Sequence, residues 1–199
     1  MSLWRGDPLV LASKSEVRGN LLAAAAIPFA VDPARIDERG IEAANEKLSP
    51  PDAALLLARE KALEVARRRD GVVLGADQTL ALGDHRYTKP VDLDSARTQL
   101  KSLGGQTHAL HSAAAVARGN EILFETVSTA RITMRALPDT FLDAYLSAAG
   151  GRVTKSVGGY QLEGLGVHLF EKIEGDHFTV LGLPLLPLLA YFRKAGMLP

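Results

Sequence analysis

The stretch VVLGADQTLAL, residues 72–82, does most to limit what this chain can fold into. Residues 72–76 are all apolar or glycine, and residues 79–82 are again mostly apolar. Such a run, ended by Gly83 and Asp84, reads as a buried strand. One carboxylate, Asp77, stands inside it. A carboxylate in an apolar strand needs a lysine, a metal ion or a hydrogen-bond network to offset its lost hydration. The pattern equally suits an aspartate at a strand end that caps a neighbouring turn.

The flanking elements set the fold class. Leu9–Ala12 reads as a short buried strand, Ser13–Ser15 as a turn, and a helix follows with Val17, Leu21 and Ala24 or Ala25 on one face. Ile27–Val31 reads as a second strand, and residues 32–48 as polar and irregular. The clearest helix starts at Ser49, a good cap, with Pro50 at its first position and Asp52 three residues after the cap. Leu55, Ala58, Ala62 and Val65 or Ala66 form its apolar stripe, and Arg67, Arg68 and Arg69 close it where positive charge favours the helix dipole. Further helices are expected at 94–103, at 138–148 and from Pro184 to just before Gly196. Strands are expected at 107–117 and 122–134 around the hairpin signal RGNE, and at 167–173 and 178–183 around the turn EGD. Helices and strands alternate early and antiparallel pairs follow, so the class is α/β with a mixed sheet. No repeat, low-complexity segment or long linker divides the chain, and 199 residues suit one domain, 1–199, with or without two lobes.

Composition removes several functions. Formal net charge is zero, so no global field recruits nucleic acid or an anionic membrane, and any anion site must be built locally. The absence of cysteine excludes disulfides, thiolate zinc sites and cysteine nucleophiles. There is no secretory leader pattern, and the longest apolar candidate for a membrane span, 181–189, contains Pro184 and Pro187. A cytoplasmic protein is expected. The histidines lack zinc-site spacing, and no Walker A loop, dinucleotide fingerprint or nucleophile elbow occurs.

Five places remain where chemistry could reside. Lys61 lies beside the apolar stripe of its helix, between Leu57, Ala58 and Val65; its stem could cover the core with the ammonium in water. Lys89 precedes Pro90 and is held toward extended backbone, as an ordinary loop lysine would also be. Asp37 and Glu38 are adjacent acids that would need another carboxylate nearby to hold a metal. SVGGYQLEGLG, residues 156–166, has glycines for tight turns and close ligand approach, Tyr160 for stacking and Glu163 as a carboxylate. Finally, LVLASKSEVRGNLL, residues 9–22, is a strand, a serine turn and a helix start bearing Arg18, which suits either a capped helix or an anion site.

Taken together, LASKSEVR, GADQTL followed by TKP, GGYQLEGLG and FEKIEGDHFTVLGLPL resemble the Maf nucleoside triphosphate pyrophosphatases, in order and spacing across most of the chain. The resemblance implies an α/β fold with a mixed twisted sheet in two lobes around a central cleft, of the inosine triphosphate pyrophosphatase type. It implies hydrolysis of a nucleoside triphosphate to the monophosphate and pyrophosphate with a divalent cation, magnesium or manganese, by a homodimer with no nucleic-acid or membrane partner. Matched to the family motifs, Asp77 is the catalytic carboxylate and a metal ligand, Glu38 an acid near the metal, and Ser13, Arg18, Lys61 and Lys89 hold the phosphates. Val17, Gln78 and Glu163 fall at positions that tune base choice. Gln78 with Glu163 resembles the branch favouring 7-methyl-GTP; the other branch favours dTTP and UTP. Glu16 replaces the family's usual proline, and Val17 matches neither the aromatic residue of the first branch nor the arginine of the second. Two other readings compete: a nucleotide-binding regulator of cell division without turnover, and a phosphatase that releases orthophosphate.

Overall fold

The structure, a computed structural model, describes residues 3–199. Seven strands form one mixed sheet: β1 (Leu9–Leu11), β2 (Phe29–Val31), β3 (Val73–Leu82), β4 (His85–Tyr87), β5 (Thr107–Arg118), β6 (Glu121–Met134) and β7 (Phe170–Glu174). Their order is β2-β1-β3-β5-β6-β7, with β4 paired to β3. β1 pairs in parallel with both β2 and β3, which requires a crossover helix on each connection. Those helices are α1 (Glu16–Ala24) between β1 and β2, and α2 (Glu38–Ala44) with α3 (Pro50–Ala66) between β2 and β3. Helices α4 (Leu93–Leu103), α5 (Asp139–Ala149), α6 (His177–Val180) and α7 (Leu185–Lys194) complete the set. None is long and apolar enough to cross a membrane.

The chain divides into two compact units. The first takes the residues up to Gln78, then His111–Ser128 and Asp176–Pro199; the second takes Thr79–Leu110 and Thr129–Gly175. In the first, strand alternation sends side chains to two separate cores. Leu74 and Ala76 of β3 and Ala114 and Val116 of β5 join Leu21, Leu22, Leu188 and Phe192 from α1 and α7. Val73 of β3 and Ala113, Ala115 and Ala117 of β5 join Ala54, Ala58, Ala62 and Val65 of α3. A sheet covered by helices on both faces explains why β3 is almost continuously apolar.

The α3 face is built from small residues, and Gly75 sets its spacing. A Cβ at Gly75 would lie 2.2 Å from the Ala58 carbonyl oxygen and 2.6 Å from the Ala62 nitrogen, so the helix backbone rests directly on the strand. Gly75→Ala should therefore push α3 off β3 and cost about 1–3 kcal/mol, as overpacking does. Urea unfolding of the variant reads this directly, and an unchanged midpoint would refute it.

Three expectations need correction. Residues 32–48 are not irregular throughout: Asp37 accepts a hydrogen bond from the Gly40 amide and caps α2. Short helices with few apolar residues leave little periodicity to detect, and α2 buries no residue at all. Residues 178–183 are not a strand, because the Asp176 carboxylate caps the turn of α6 by accepting from the Thr179 amide at 2.9 Å. Helix 138–148 becomes Asp139–Ala149, and β4 adds a short strand after the Gly83–Asp84 turn.

The second unit has its own buried polar pair. Tyr160 is only 5% exposed, its hydroxyl is 2.6 Å from His108 Nε2, and its ring meets Phe170 edge-on. Tyr160 is therefore a core anchor of the glycine-rich segment and not the free stacking platform its sequence context implied. Burial pushes His108 down from its ordinary 6.5 to about 4, so it folds as the neutral imidazole. Between those values the unfolded chain binds the proton that the folded chain refuses, so stability falls with pH. The contribution is complete above pH 6.5 and lost progressively toward pH 4. Denaturation at pH 7 and 4.5 should show a larger acid loss for the wild type than for His108→Gln.

Candidate active site

Alternation along β3 assigns its polar residues to opposite faces. Val73, Gly75 and Asp77 point toward α3; Leu74, Ala76 and Gln78 point the other way. On α3, Ala54, Ala58, Lys61 and Val65 share a buried stripe, so the close approach at Gly75 brings Lys61 to Asp77. Lys61 Nζ donates to Asp77 Oδ1 at 2.6 Å, and both side chains are about nine-tenths buried. The first residue of α2, Glu38, reaches the same ammonium from its half-exposed position, with Oε1 at 3.0 Å. One ammonium thus lies between two carboxylates. Lys61 is not a snorkelling residue, and Asp77 is not a turn cap.

The Ser13–Arg18 stretch forms another part of the same unit. Ser15 caps α1 by accepting from the Arg18 amide, and Ser13 Oγ accepts from the Ser15 amide at 3.2 Å. The Arg18 guanidinium folds back over this turn. Its Nη1 donates to Ser13 Oγ at 3.1 Å and to the Ala76 carbonyl at 2.8 Å; its Nε donates to the Gly182 carbonyl at 2.8 Å. Burial lowers the Arg18 pKa from its ordinary value, and the charges of Asp77 and Glu38 oppose that shift. The bond to Ala76 ties the guanidinium to the residue just before Asp77.

Of the residues expected from the sequence, the first unit brings together Ser13, Arg18, Glu38, Lys61 and Asp77. Gln78 lies on the other face of β3, where its amide nitrogen donates to Ser112 Oγ and to the Thr179 and Val180 carbonyls. Val17 is half-exposed in the first turn of α1. Lys89 and Glu163 belong to the second unit and are exposed. The sequence reading missed Gly75, Ser112 and Gly182. A glycine in an otherwise branched strand was a usable signal for Gly75; a carbonyl such as that of Gly182 leaves no signal in residue type.

Two cations and two carboxylates cancel locally, so the site is not a simple anion trap. Among the described residues no group of three or more His, Asp or Glu side chains could hold a metal ion. Glu38 and Asp77 nonetheless suit magnesium or manganese, which take one or two carboxylates and fill the remaining positions with phosphate oxygens and water. The two carboxylates converge on one ammonium, at 3.0 and 2.6 Å.

Residues 8–195 match the model of the Maf-like protein family. A nucleoside triphosphate pyrophosphatase of Bradyrhizobium diazoefficiens is 57% identical over all of this chain and 99% of its own length. One of Rhodopseudomonas palustris is 54% identical with the same coverage, and a 7-methyl-GTP pyrophosphatase of Mesorhizobium japonicum is 48% identical over 96% of this chain and 97% of its own. The chain belongs to the Maf family. It is accordingly an enzyme, a hydrolase.

Lys61→Met keeps the length of the side chain and removes its charge. It leaves a buried carboxylate without its counter-ion and should cost about 3–5 kcal/mol at neutral pH. A denaturant titration at pH 7.5 checks it, and a deficit well under about 3 kcal/mol would contradict the pairing.

Proposed function

We propose that this protein hydrolyses a nucleoside triphosphate to the monophosphate and pyrophosphate, with 7-methyl-GTP or a similar modified guanine nucleotide as the favoured substrate. The observation that carries the reading is the buried Asp77 held by Lys61, with Glu38 on the same ammonium and Arg18 tied to the neighbouring carbonyl.

A triphosphate carries about four negative charges, so it needs positive partners beyond those the site has neutralised. Arg18 offers its remaining guanidinium edge and the α1 N-terminus offers backbone donors and a positive dipole end. Lys61, released in part from the carboxylates, adds a point charge, and the match of Lys89 to the family motif assigns it the same role. Glu38 and Asp77 would hold the magnesium or manganese ion, which when bound spreads the charge of the leaving pyrophosphate. Asp77 orients a water and takes its proton as that water attacks, breaking the bond between the α and β phosphates. Asp77→Asn retains the shape but not the base, and should lower turnover by about 10²–10⁴-fold. A panel of ordinary and modified nucleotides, scored for pyrophosphate against orthophosphate, checks it. Orthophosphate release or binding without turnover would displace this reading.

The base preference rests on Gln78 and Glu163, which match the 7-methyl-GTP branch, and on the Mesorhizobium japonicum relative that bears that name. A carboxylate can accept from both the N1–H and the 2-amino group of guanine, and the positive charge of a 7-methylated ring strengthens the contact. Glu163→Gln should shift the nucleotide profile away from guanine bases; an unchanged profile would assign base choice elsewhere.

A further inference from the structure

The face of β3 opposite Lys61 carries a buried polar cluster in an otherwise apolar layer. Ser112 of β5 is fully buried, on the same side as Ala114 and Val116. Its hydroxyl donates to the Thr179 carbonyl at 2.7 Å and accepts from Gln78 Nε2 at 2.9 Å. Gln78 Nε2 also lies 3.1 Å from both the Thr179 and Val180 carbonyls. One residue beyond α6 and its cap, the Gly182 carbonyl accepts from Arg18 Nε.

The end of a helix leaves carbonyls with no partner inside the helix. At the end of α6 the Thr179 carbonyl accepts from the Gly182 amide at 3.1 Å, and its second lone pair is left for side chains. Here the side chains come from the strands: Ser112 and Gln78 fix the Thr179–Val180 end of the turn, and the turn fixes the Gly182 oxygen that orients Arg18. Gly182 sits at φ +93, in the left-handed region, so the chain can turn back sharply at that point and present its carbonyl to the guanidinium. Held by Gly182 at Nε and by Ser13 and Ala76 at Nη1, the guanidinium has its plane set and only its Nη2 edge turned elsewhere.

We propose that Ser112, with Gln78, is a positioning residue of the phosphate site, acting through the 179–182 turn to set the Arg18 guanidinium so that its Nη2 edge meets phosphate oxygens. This rests on the reading of Arg18 as a phosphate-holding residue, and it gives Gln78 a role that needs no contact with the base.

The test is a double-mutant cycle on the full chain, read as the dissociation constant of inorganic tripolyphosphate in magnesium buffer and as KM and kcat for the best nucleotide of the panel. Ser112→Ala removes one donor to the turn and one acceptor for Gln78, and should weaken tripolyphosphate about 3–10-fold and raise KM alike, with kcat within about twofold. Gln78→Met, which strips the turn of its donors from the other strand, should act in the same direction. In an Arg18→Ala background neither change should weaken binding further, because the group they position is gone. Equal effects of Ser112→Ala in both backgrounds, or none in either, would overturn the proposal while leaving the phosphate role of Arg18 intact. Arg18→Ala that binds tripolyphosphate as tightly as wild type would instead overturn that role itself.

Discussion

The contact between the Lys61 ammonium and the Asp77 carboxylate is the constraint around which the first unit is arranged. Neither charge could be left unpaired so deep in the protein, because each loses most of its hydration there. The pair is possible because Gly75 and the alanines of α3 let the helix backbone touch the strand. A side chain at Gly75 would meet the α3 backbone and push it, with Lys61, away from the strand. Small residues on this face thus serve the site as well as the core. Glu38 completes the arrangement from the half-exposed start of α2, with its carboxylate on the same ammonium.

β3 is the element that converts this packing into chemistry. Its two-residue period turns Asp77 toward Lys61 and the next residue, Gln78, toward Ser112 and the α6 turn. Arg18 links the two faces, because it bonds both the Ala76 carbonyl within the strand and the Gly182 carbonyl beyond the turn. The guanidinium is thereby held by protein groups on three sides, with its orientation set by the fold alone.

Much of this was legible in the sequence. The β3 run announced itself as apolar strand with a single acid, and Ser49 with Pro50 marked the start of α3 correctly. Lys61 stood out as a charge at the edge of an apolar stripe, and it pairs with the acid that stood out in β3. The misreadings fell where local signals are weak. α2 buries nothing, so it shows no periodicity, and α6 is a single turn whose Phe178–Leu183 surroundings look like a strand. Tyr160 looked available for stacking because a glycine-rich context gives no clue to burial; His108, 52 residues earlier, takes its hydroxyl.

The sequence by itself determined the elements, their alternation and the residue types able to hold phosphate and cation, since propensity, capping and period act over a few residues. Only the tertiary structure decided which charges meet. Lys61 could have snorkelled and Asp77 could have capped a turn; the contact of α3 with Gly75 chose otherwise. The opening LVLASKSEVRGNLL fixed a capped helix and an arginine, but the carbonyls that aim that arginine come from residues 76 and 182. Such partners are set by which backbone segments pack together, and backbone carbonyls are the same for every residue, so no local pattern could name them.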